Sequence, residues 1–315
     1  MIYEYALEPE LVATWTERKA FRYFMSSFDF GQGRGVSWYP KHWRRLVRQS
    51  FDCTGDIAQT RLTELLNRLS EQMVRRRNYD WDSGSGHWLE NAEREHERFP
   101  FHAIVARKNP QGQEHVLTEG ELDSDESDRW TVSNRLVVAR KATDMADAVA
   151  PLLRCSLRVI FVDPYFRPQD RRYQRAFGAF LDQIAGPRPV EAPERIEIHA
   201  STKYECSEEF FYEQCTKKLP SWVPLGMRVF VRRLRQKPGG ESLHNRYILT
   251  DRGGVIFSAG LDEAKDGESA TDDLALMDRY QYDNRWSQYG GDPPAGFEQE
   301  REGIELVGTR QLPSP

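Results

Sequence analysis

The chain has 315 residues, of which 30% are charged and 39% hydrophobic, with a formal net charge of −5 at pH 7 and a mean hydropathy of −0.72. This composition indicates a folded globular protein with a polar surface, and it excludes a disordered chain and a broadly basic nucleic-acid coat. No stretch approaches the roughly 18 apolar residues of a membrane span, and the start lacks a secretory signal, so we expect a cytoplasmic protein.

The spacing of the cysteines indicates which disulfide or metal sites the chain could form. The four cysteines lie far apart in the sequence and form no C-x-x-C pair: Cys53, Cys155, Cys206 and Cys215. This spacing predicts neither disulfides nor a zinc site, and we expect no metal and no cofactor. The length suits two domains. We place them at residues 1–130 and 131–315.

The first domain is predicted to be a smaller α+β domain of unknown type. Its clearest element is a helix with an apolar stripe at 3.6-residue spacing, formed by Ile57, Leu62, Leu65, Leu66, Leu69 and Met73. Phe101–Arg107 and His115–Thr118 flank the turn residues Asn109–Gly112 and predict a β-hairpin. The acidic run Glu119–Asp128 predicts a linker or an exposed loop.

A basic and aromatic segment of the first domain is a candidate nucleic-acid site. Its cations are Lys41, Arg44, Arg45 and Arg48, and its interleaved aromatic residues are Trp38, Tyr39 and Trp43. Cations with stacking aromatic rings suit the backbone and bases of nucleic acid. Two more basic stretches occur at 75–77 and 232–237. The alternative for such segments is a solvated helix face with arginine stems lying along the surface.

From Asn134 onward, apolar strands alternate with helices. The strands are predicted at Arg135–Ala139, Arg158–Tyr165, Arg195–His199, Met227–Arg232, His244–Leu249, Gly254–Ser258 and Leu274–Met277, and the helices at Asp144–Leu153, Arg171–Ile184 and Glu208–Lys218. This alternation predicts an α/β fold whose mixed sheet is covered by helices on both faces.

The segment from His244 to Asp251 carries the clearest chemical pattern. In a strand, His244 and Arg246 project to the same face, and Asp251 follows at the turn. A fixed cation can hold phosphate oxygens while the imidazole attacks phosphorus or moves a proton. A carboxylate such as Asp251 can orient that imidazole. These three residues are the candidate catalytic group.

This H-x-R-x4-D pattern resembles the HKD motif of the phospholipase D superfamily, with Arg246 at the lysine position. With the strand and loop at Arg158–Phe166 included, the resemblance covers residues 134–306. The run from His244 to Glu263 looks most like the C-terminal phospholipase-D-like domain of microtubule-interacting-and-trafficking proteins. The resemblance to the superfamily implies a metal-independent phosphodiesterase site, whereas the resemblance to this C-terminal domain implies binding of acidic phospholipid rather than hydrolysis. The resemblance to the superfamily also implies a homodimer, because two such motifs form one site and this chain has one.

Several interpretations of the motif stay open. The planar Arg246 fork replaces a lysine, and the superfamily's downstream G-S-x-N becomes Ser258–Leu261 without the asparagine. The motif therefore predicts phosphodiester hydrolysis, anion binding without catalysis, or a structural ion pair between Arg246 and Asp251. Candidate substrate-binding residues are Asp163, Tyr165, Ser258 and Glu263, although a proline-closed loop at Asp163 and a helix cap at Glu263 are alternatives.

The function expected from these patterns is recognition of a phosphodiester in nucleic acid, by a metal-independent nuclease-type site, complete or degenerate. Proteins that pair an unfamiliar N-terminal domain with a single phospholipase-D-like domain look like nuclease-type components of prokaryotic DNA-processing or anti-phage (antiviral) defence systems. By analogy, we expect such a context and partner proteins for this chain. The alternative is a non-catalytic adaptor that binds anionic phospholipid or a protein partner. Whether the chain is an enzyme is left open by the sequence.

Overall fold

The computed structural model describes residues 1–84, 87–124, 127–203 and 206–312. The chain divides into two compact units, Met1–Ser133 and Asn134–Pro315, here called unit 1 and unit 2. Among the described residues, no helix combines the length and apolar character needed to cross a membrane.

Unit 1 is built around a five-stranded sheet. Its elements in chain order are β1 (Tyr3–Leu7), α1 (Pro9–Thr14), α2 (Arg18–Ser27), β2 (Arg34–Ser37), α3 (Trp43–Gln49), α4 (Asp56–Glu71), β3 (Met73–Val74), α5 (Trp88–Arg98), β4 (Ala103–Val105), β5 (Val116–Leu117) and α6 (Glu119–Ser124). The strand order is β3-β2-β1-β4-β5 and every pair is parallel. The α+β prediction for this half is therefore wrong, because all paired strands are parallel and helices connect all of them except β4 and β5.

The predicted hairpin is also wrong. Strands β4 and β5 do pair, but in parallel, with Ile104 opposite Val116. The connection folds back across the sheet edge, where the Asn109 side-chain amide donates to the carbonyls of Gln113 and Val116 at 2.8 and 3.0 Å. A proline–glycine turn signal between two apolar runs indicates that the chain turns, but it does not set the relative direction of the two strands.

Helix α4 forms where the apolar stripe predicts it. Leu62, Leu65, Leu66 and Leu69 are buried against the unit 1 core, while Ile57 is 69% exposed in the first turn. The stripe's last member, Met73, belongs to β3. The predicted acidic linker begins as α6, so its first part is helical, and Asp125 and Glu126 lie outside the described residues.

Unit 2 contains a larger mixed sheet. Its elements are β6 (Arg135–Ala139), α7 (Ala142–Cys155), β7 (Arg158–Val162), α8 (Arg171–Ala185), β8 (Arg195–Ser201), α9 (Glu208–Lys218), β9 (Arg228–Gln236), β10 (Arg246–Thr250), β11 (Gly254–Phe257), β12 (Thr271–Leu276), α10 (Arg279–Tyr289), β13 (Phe297–Gln299) and β14 (Ile304–Val307). The order is β13-β9-β8-β7-β10-β11-β12-β6, with β14 also paired to β9. Strands β7, β8 and β9 are parallel, and the other pairs are antiparallel.

Helices cover both faces of this sheet, so the α/β class expected for this half is confirmed. On one face Phe161 packs against Phe177 and Phe180 of α8, with ring centroids 5.1 and 5.6 Å away. Its neighbour Val162 points to the other face and joins a core cluster that includes Tyr289 of α10. Neighbouring strand residues alternate between faces, so one apolar strand serves two layers.

The sheet directions decide where the candidate site lies. Because β10 is antiparallel to β7, with Tyr247 opposite Val162, the start of β10 lies beside the carboxyl end of β7. The end of β11 meets the same edge, with Phe257 opposite Arg246. We call this the carboxyl edge of unit 2.

Candidate functional site

Strand β10 separates the three residues of the predicted catalytic group. His244 precedes the strand and Arg246 begins it, so both lie at the carboxyl edge, whereas Asp251 follows the last strand residue at the opposite edge. The five residue steps from Arg246 to Asp251 correspond to roughly 16 Å along the strand. His244 is exposed at its end of the strand. The sequence pattern therefore does not gather these side chains into one site.

Asp251 has a structural function at the far edge. Its Oδ1 accepts hydrogen bonds from the backbone amides of Leu157 and Arg158 at 2.8 and 3.0 Å, and its Oδ2 lies 3.2 Å from Nε of Arg252. These contacts hold the start of β7 against the end of β10. The prediction that Asp251 orients the His244 imidazole is wrong, because the two residues flank opposite ends of one strand.

Arg246 lies at the carboxyl edge beside an aromatic ring. Its guanidinium carbon is 4.8 Å from the centroid of Tyr165, whose side chain is 40% exposed in the loop after β7. The Nε atom of Arg246 is buried, and among the described residues it has no hydrogen-bond partner. No carboxylate in the described part of the chain forms an ion pair with this guanidinium. The alternative of an Arg246–Asp251 ion pair is therefore excluded.

Asp163 lies beneath Arg246 and Tyr165 and is not accessible to a ligand. It is fully buried, and its oxygens accept hydrogen bonds from the amides of Tyr165 (2.8 Å) and Leu261 (2.9 Å) and from the Tyr173 hydroxyl (3.3 Å). Burial raises the pKa of Asp163 to about 6, although the two amides and Arg246 act in the opposite direction. The prediction of substrate binding is corrected: Asp163 fixes the loops that frame the edge.

Ser258 follows β11 at the same edge as Arg246. Its backbone amide and that of Ala259 both donate to Oδ1 of Asp272 at 2.9 Å, and its hydroxyl donates to the Asp273 carbonyl. Ser258 is exposed, yet its hydroxyl proton is already used. Asp272 is buried, and one of its oxygens has no hydrogen-bond partner within the described ranges.

Glu263 acts as a helix cap. Its Oε1 accepts from the backbone amide of Ala142 at 2.8 Å, at the start of α7, and its Oε2 lies 3.2 Å from Nη1 of Arg175. A carboxylate at a helix start satisfies amides that lack partners and complements the helix dipole. The alternative interpretation of Glu263 as a cap is correct, and substrate binding by this residue is not supported.

Two arginines that the sequence does not single out stabilise the loop that follows β11. Arg140 and Arg172 contact the two carboxylate oxygens of Asp262 at 2.5 and 2.9 Å. Gly260 is required beside them, because it has a φ of +154° and a Cβ there would lie 2.7 Å from Asp262. These arginines come from the ends of separate elements, so no local spacing could have indicated them.

The basic segment of unit 1 is divided between surface and core. Lys41, Arg45 and Arg48 are exposed, and Arg44 is partly buried, with its guanidinium 3.1 Å from the Asn67 side chain. The aromatic residues are not available for stacking as predicted. Trp43 and Tyr39 are fully buried, and the Trp43 indole donates to the Leu7 carbonyl, while the partly buried Trp38 lies 5.1 Å from the Arg75 guanidinium.

The other two basic stretches supply core ion pairs. Arg76 is buried between Glu4 and Glu95, at 2.9 and 2.8 Å. Arg232 and Arg233 of β9 are 3% and 2% exposed. These three arginines are enclosed and paired, and the prediction that they face nucleic acid is wrong.

The carboxyl edge is suited to holding an anion. Arg246 offers a planar set of donors, Tyr165 offers a ring face, and His244 offers an exposed imidazole near them. Within the described residues, no carboxylate pairs with His244, and no group of three or more His, Cys, Asp or Glu residues is arranged to hold a metal ion. A second histidine lies near this edge, because His199 of β8 pairs with Val162, but its side chain is fully buried with Nε2 3.0 Å from Glu197 and is not available to a ligand beside His244.

No protein-family model and no curated protein matches the chain. Among solved structures, the chain is similar to TrmBL2, an archaeal chromatin protein whose structure shows a novel mode of DNA binding. That match has 10% sequence identity and a TM-score of 0.24, and it covers 79% of this chain and 80% of that chain. A TM-score of this size carries no argument about the fold or function of the chain.

Proposed function

We propose that unit 2 is a phospholipase-D-like domain that binds the phosphodiester backbone of nucleic acid at its carboxyl edge. Supporting this proposal are the H-x-R part of the pattern, with His244 just before β10 and Arg246 at its start, the mixed sheet with helices on both faces, and the position of Arg246 beside the carboxyl end of β7. Ligands of open α/β sheets bind outside the carboxyl ends of parallel strands.

The observation that carries the proposal is the environment of the Arg246 guanidinium. Arg140, Arg172 and Arg175 around the same edge are each paired with carboxylates. Arg246 instead contacts the Tyr165 ring and, among the described residues, has no ion-pair partner. Apart from the charge of the buried Asp163, no carboxylate among the described residues offsets this half-buried cation, so the site favours phosphate or another oxyanion as its partner.

Nucleic acid is the ligand class that uses both side chains. A guanidinium can hold two phosphate oxygens through parallel charge-assisted hydrogen bonds, and an exposed tyrosine ring can stack on a base. Hydrolysis would need a second histidine, which a two-fold dimer that brings two copies of His244 together would supply. Binding is therefore the activity that one copy supports, and cleavage depends on such a dimer.

The test is a salt titration of binding to single- and double-stranded DNA, to RNA and to acidic liposomes. Arg246→Ala should weaken nucleic-acid binding about tenfold or more, because each charge-assisted hydrogen bond contributes about 1.5–3 kcal/mol. Arg246→Lys should recover part of the loss, since an ammonium keeps the charge but not the planar fork. For the wild type, the logarithm of the affinity should fall linearly with the logarithm of salt concentration.

Arg279→Ala is the matched control, because it removes the same charge from an exposed surface at the opposite edge of the sheet. It should bind as the wild type does. Equal binding of every ligand by Arg246→Ala and wild type would overturn the proposal. Binding of liposomes but not of nucleic acid would replace it with the adaptor alternative.

A nuclease assay in EDTA separates binding from cleavage. Metal-independent cleavage that His244→Ala abolishes would assign hydrolysis to a dimeric site. Cleavage that survives in His244→Ala would come from elsewhere. Binding without cleavage, in a protein that light scattering shows to be monomeric, is the result expected from one copy of the site.

A further inference from the structure

The end of β8 lies beside the loop that carries Tyr165. The backbone amide of Ser201, the last residue of β8, donates to the carbonyl of Pro164 at 3.3 Å. Strand β7 lies between β8 and β10 in the sheet, and β8 runs parallel to β7, so β8 also ends at the carboxyl edge. The residues that follow β8 therefore flank Tyr165 on the side opposite Arg246.

Lys203 is held at this position by two hydrogen bonds. Its backbone amide donates to the hydroxyl of the buried Ser201 at 3.1 Å, and its ammonium donates to the hydroxyl of Ser242. Ser242 lies in the connection from β9 to β10, residues 237–245, which passes the carboxyl ends of β8 and β7 because β10 lies beyond β7 in the sheet. The two loops thus fix the Lys203 side chain beside the segment that leads to His244.

The ammonium of Lys203 is available to an anion. Lys203 is exposed, Ser242 is a neutral acceptor, and within the described ranges no carboxylate forms an ion pair with this side chain. An ammonium has three N–H donors, so two of them are left for a ligand. On the other side of Tyr165, Arg246 has no ion-pair partner among the described residues either. Cations on both sides of one ring favour a ligand with more than one anionic group.

The separation of these two cations suits a chain of phosphates. Neighbouring strands lie about 4.8 Å apart, so the ends of β8 and β10, with β7 between them, are roughly 10 Å apart. This separation is larger than one phosphate group, and the long side chains of Lys203 and Arg246 can adjust it to phosphates of neighbouring nucleotides. Tyr165 lies between the cations, where a base of the same strand can stack on its ring, which is 40% exposed.

We propose that the ligand of the carboxyl edge is single-stranded nucleic acid, with one phosphate on Arg246, a base on Tyr165 and a second phosphate on Lys203. This inference rests on the function proposed above for the carboxyl edge. A duplex does not fit this order of contacts, because its bases are stacked and paired inside and cannot reach the ring between the two cations. DNA and RNA strands both present the required groups, whereas inorganic phosphate lacks the base and the second phosphate.

The test measures binding to the full chain by fluorescence anisotropy, with 5′-phosphorylated dT or U strands of one, four and eight nucleotides and with a blunt-ended DNA duplex. The wild type should bind the longer strands more tightly than the mononucleotide, and more tightly than the duplex despite the higher charge density of the duplex. Lys203→Ala should weaken binding of the longer strands about fivefold and make the salt dependence shallower by about 0.7, the value for one phosphate contact. It should leave mononucleotide binding unchanged, whereas Arg246→Ala should weaken binding of every strand.

Three further variants separate a phosphate contact from a change in loop position. Ser242→Ala removes the hydroxyl that accepts from Lys203 but keeps the ammonium, so it should bind nearly as the wild type does. Lys203→Arg keeps the charge and should bind the longer strands better than Lys203→Ala. Lys217→Ala removes an exposed lysine near the end of α9, which lies at the opposite edge because α9 runs from the end of β8 to the start of β9, and it should bind as the wild type does.

The possible failures are distinguishable. Weakening by Arg246→Ala without weakening by Lys203→Ala would overturn this inference and leave the function proposed for the carboxyl edge intact. Binding of the duplex as tight as that of the single strands, or a Ser242→Ala variant as weak as Lys203→Ala, would also overturn the inference alone. Binding of every ligand by Arg246→Ala as tight as by the wild type would overturn the proposed function itself.

Discussion

Two arginines in the sheet of unit 2 occur in similar basic or motif-like stretches of the sequence but have opposite surroundings in the structure. Arg232 on β9 is enclosed, with its three nitrogens bonded to Glu197 (2.8 Å), Gln299 (2.7 Å) and Asp292 (2.6 Å). Arg246 on β10 is half-buried, touches the Tyr165 ring and has no carboxylate partner among the described residues. The first kind of arginine is a structural element, and the second is available to a ligand.

The difference shows how a charged residue should be assigned to a function. Glu197 approaches Arg232 from the adjacent strand β8, where His199 and Arg195 also contact it, at 3.0 and 2.7 Å. The residues next to an arginine in the sequence do not show which carboxylates approach it from neighbouring strands. Counter-ions, rather than local composition, therefore separate structural from ligand-binding cations.

The largest expected effect is on stability. Arg232→Ala removes one of the two arginines that contact the buried Glu197, and breaking a buried pair from one side costs about 3–5 kcal/mol of unfolding free energy. Arg246→Ala should cost less than about 1 kcal/mol, because no ion pair is lost. Urea denaturation followed by circular dichroism measures both. If the two variants lost equal stability, the distinction between enclosed and available arginines would be wrong.

Acid should weaken the same ion-pair network around Glu197. Burial by itself would raise the pKa of Glu197, but hydrogen bonds from His199 and Arg232 and the charge of Arg195 outweigh it and lower the pKa from 4.5 to about 2. A depressed carboxyl pKa stabilises the fold above the unfolded-state value. That contribution, about 3 kcal/mol, is lost as the pH falls from about 4.5 to about 2.

The measurement is the unfolding free energy as a function of pH for wild type and Glu197→Gln. The variant should be less stable at neutral pH, and its stability should fall less steeply below about pH 4.5, because one carboxyl with a depressed pKa is missing. Parallel curves for the two proteins would mean that Glu197 does not carry the acid sensitivity.

The sequence predicts unit 2 much better than unit 1, for reasons of strand length and composition. Strand β7 is a continuous apolar run, and its burial on both faces makes it recognisable. Strands β3 and β5 have two residues each, which is too short for any periodicity to register. Helix α10 was also missed, because its buried ring Tyr289 lies among polar residues without an apolar stripe.

The site is predicted in part for a similar reason. The H-x-R spacing predicts that His244 and Arg246 project to the same face of one strand, but β10 begins at Arg246, and His244 precedes it at the same edge. The contacts of Asp251 and Glu263 involve backbone amides more than 90 residues away in the sequence, and no local pattern can indicate them. The position of Asp163 at the end of a strand predicts contact with a ligand, but the local sequence does not show that its side chain is buried.

A smaller effect is expected at Tyr165, on binding rather than on stability. Stacking on a base contributes about 1–3 kcal/mol, so Tyr165→Leu should weaken binding of single-stranded nucleic acid about fivefold or more. Tyr165→Phe keeps the ring face and should bind nearly as the wild type does. Fluorescence anisotropy with labelled single-stranded DNA and RNA measures this. A Tyr165→Phe variant as weak as Tyr165→Leu would indicate that the hydroxyl, not the ring, meets the ligand.

The smallest effect is expected on helix α3, where the sequence predicted nucleic-acid binding most strongly. Arg45 and Arg48 are exposed there, but the neighbouring rings of Trp43 and Tyr39 lie in the core and cannot stack on bases. The double variant Arg45→Ala with Arg48→Ala should therefore lose only screened attraction, a change of less than about threefold at physiological salt. The same titration used for Arg246→Ala measures it. If the double variant loses more affinity than Arg246→Ala, and its salt dependence becomes shallower by about one unit per phosphate contact, then α3 holds the backbone and the carboxyl edge of unit 2 does not.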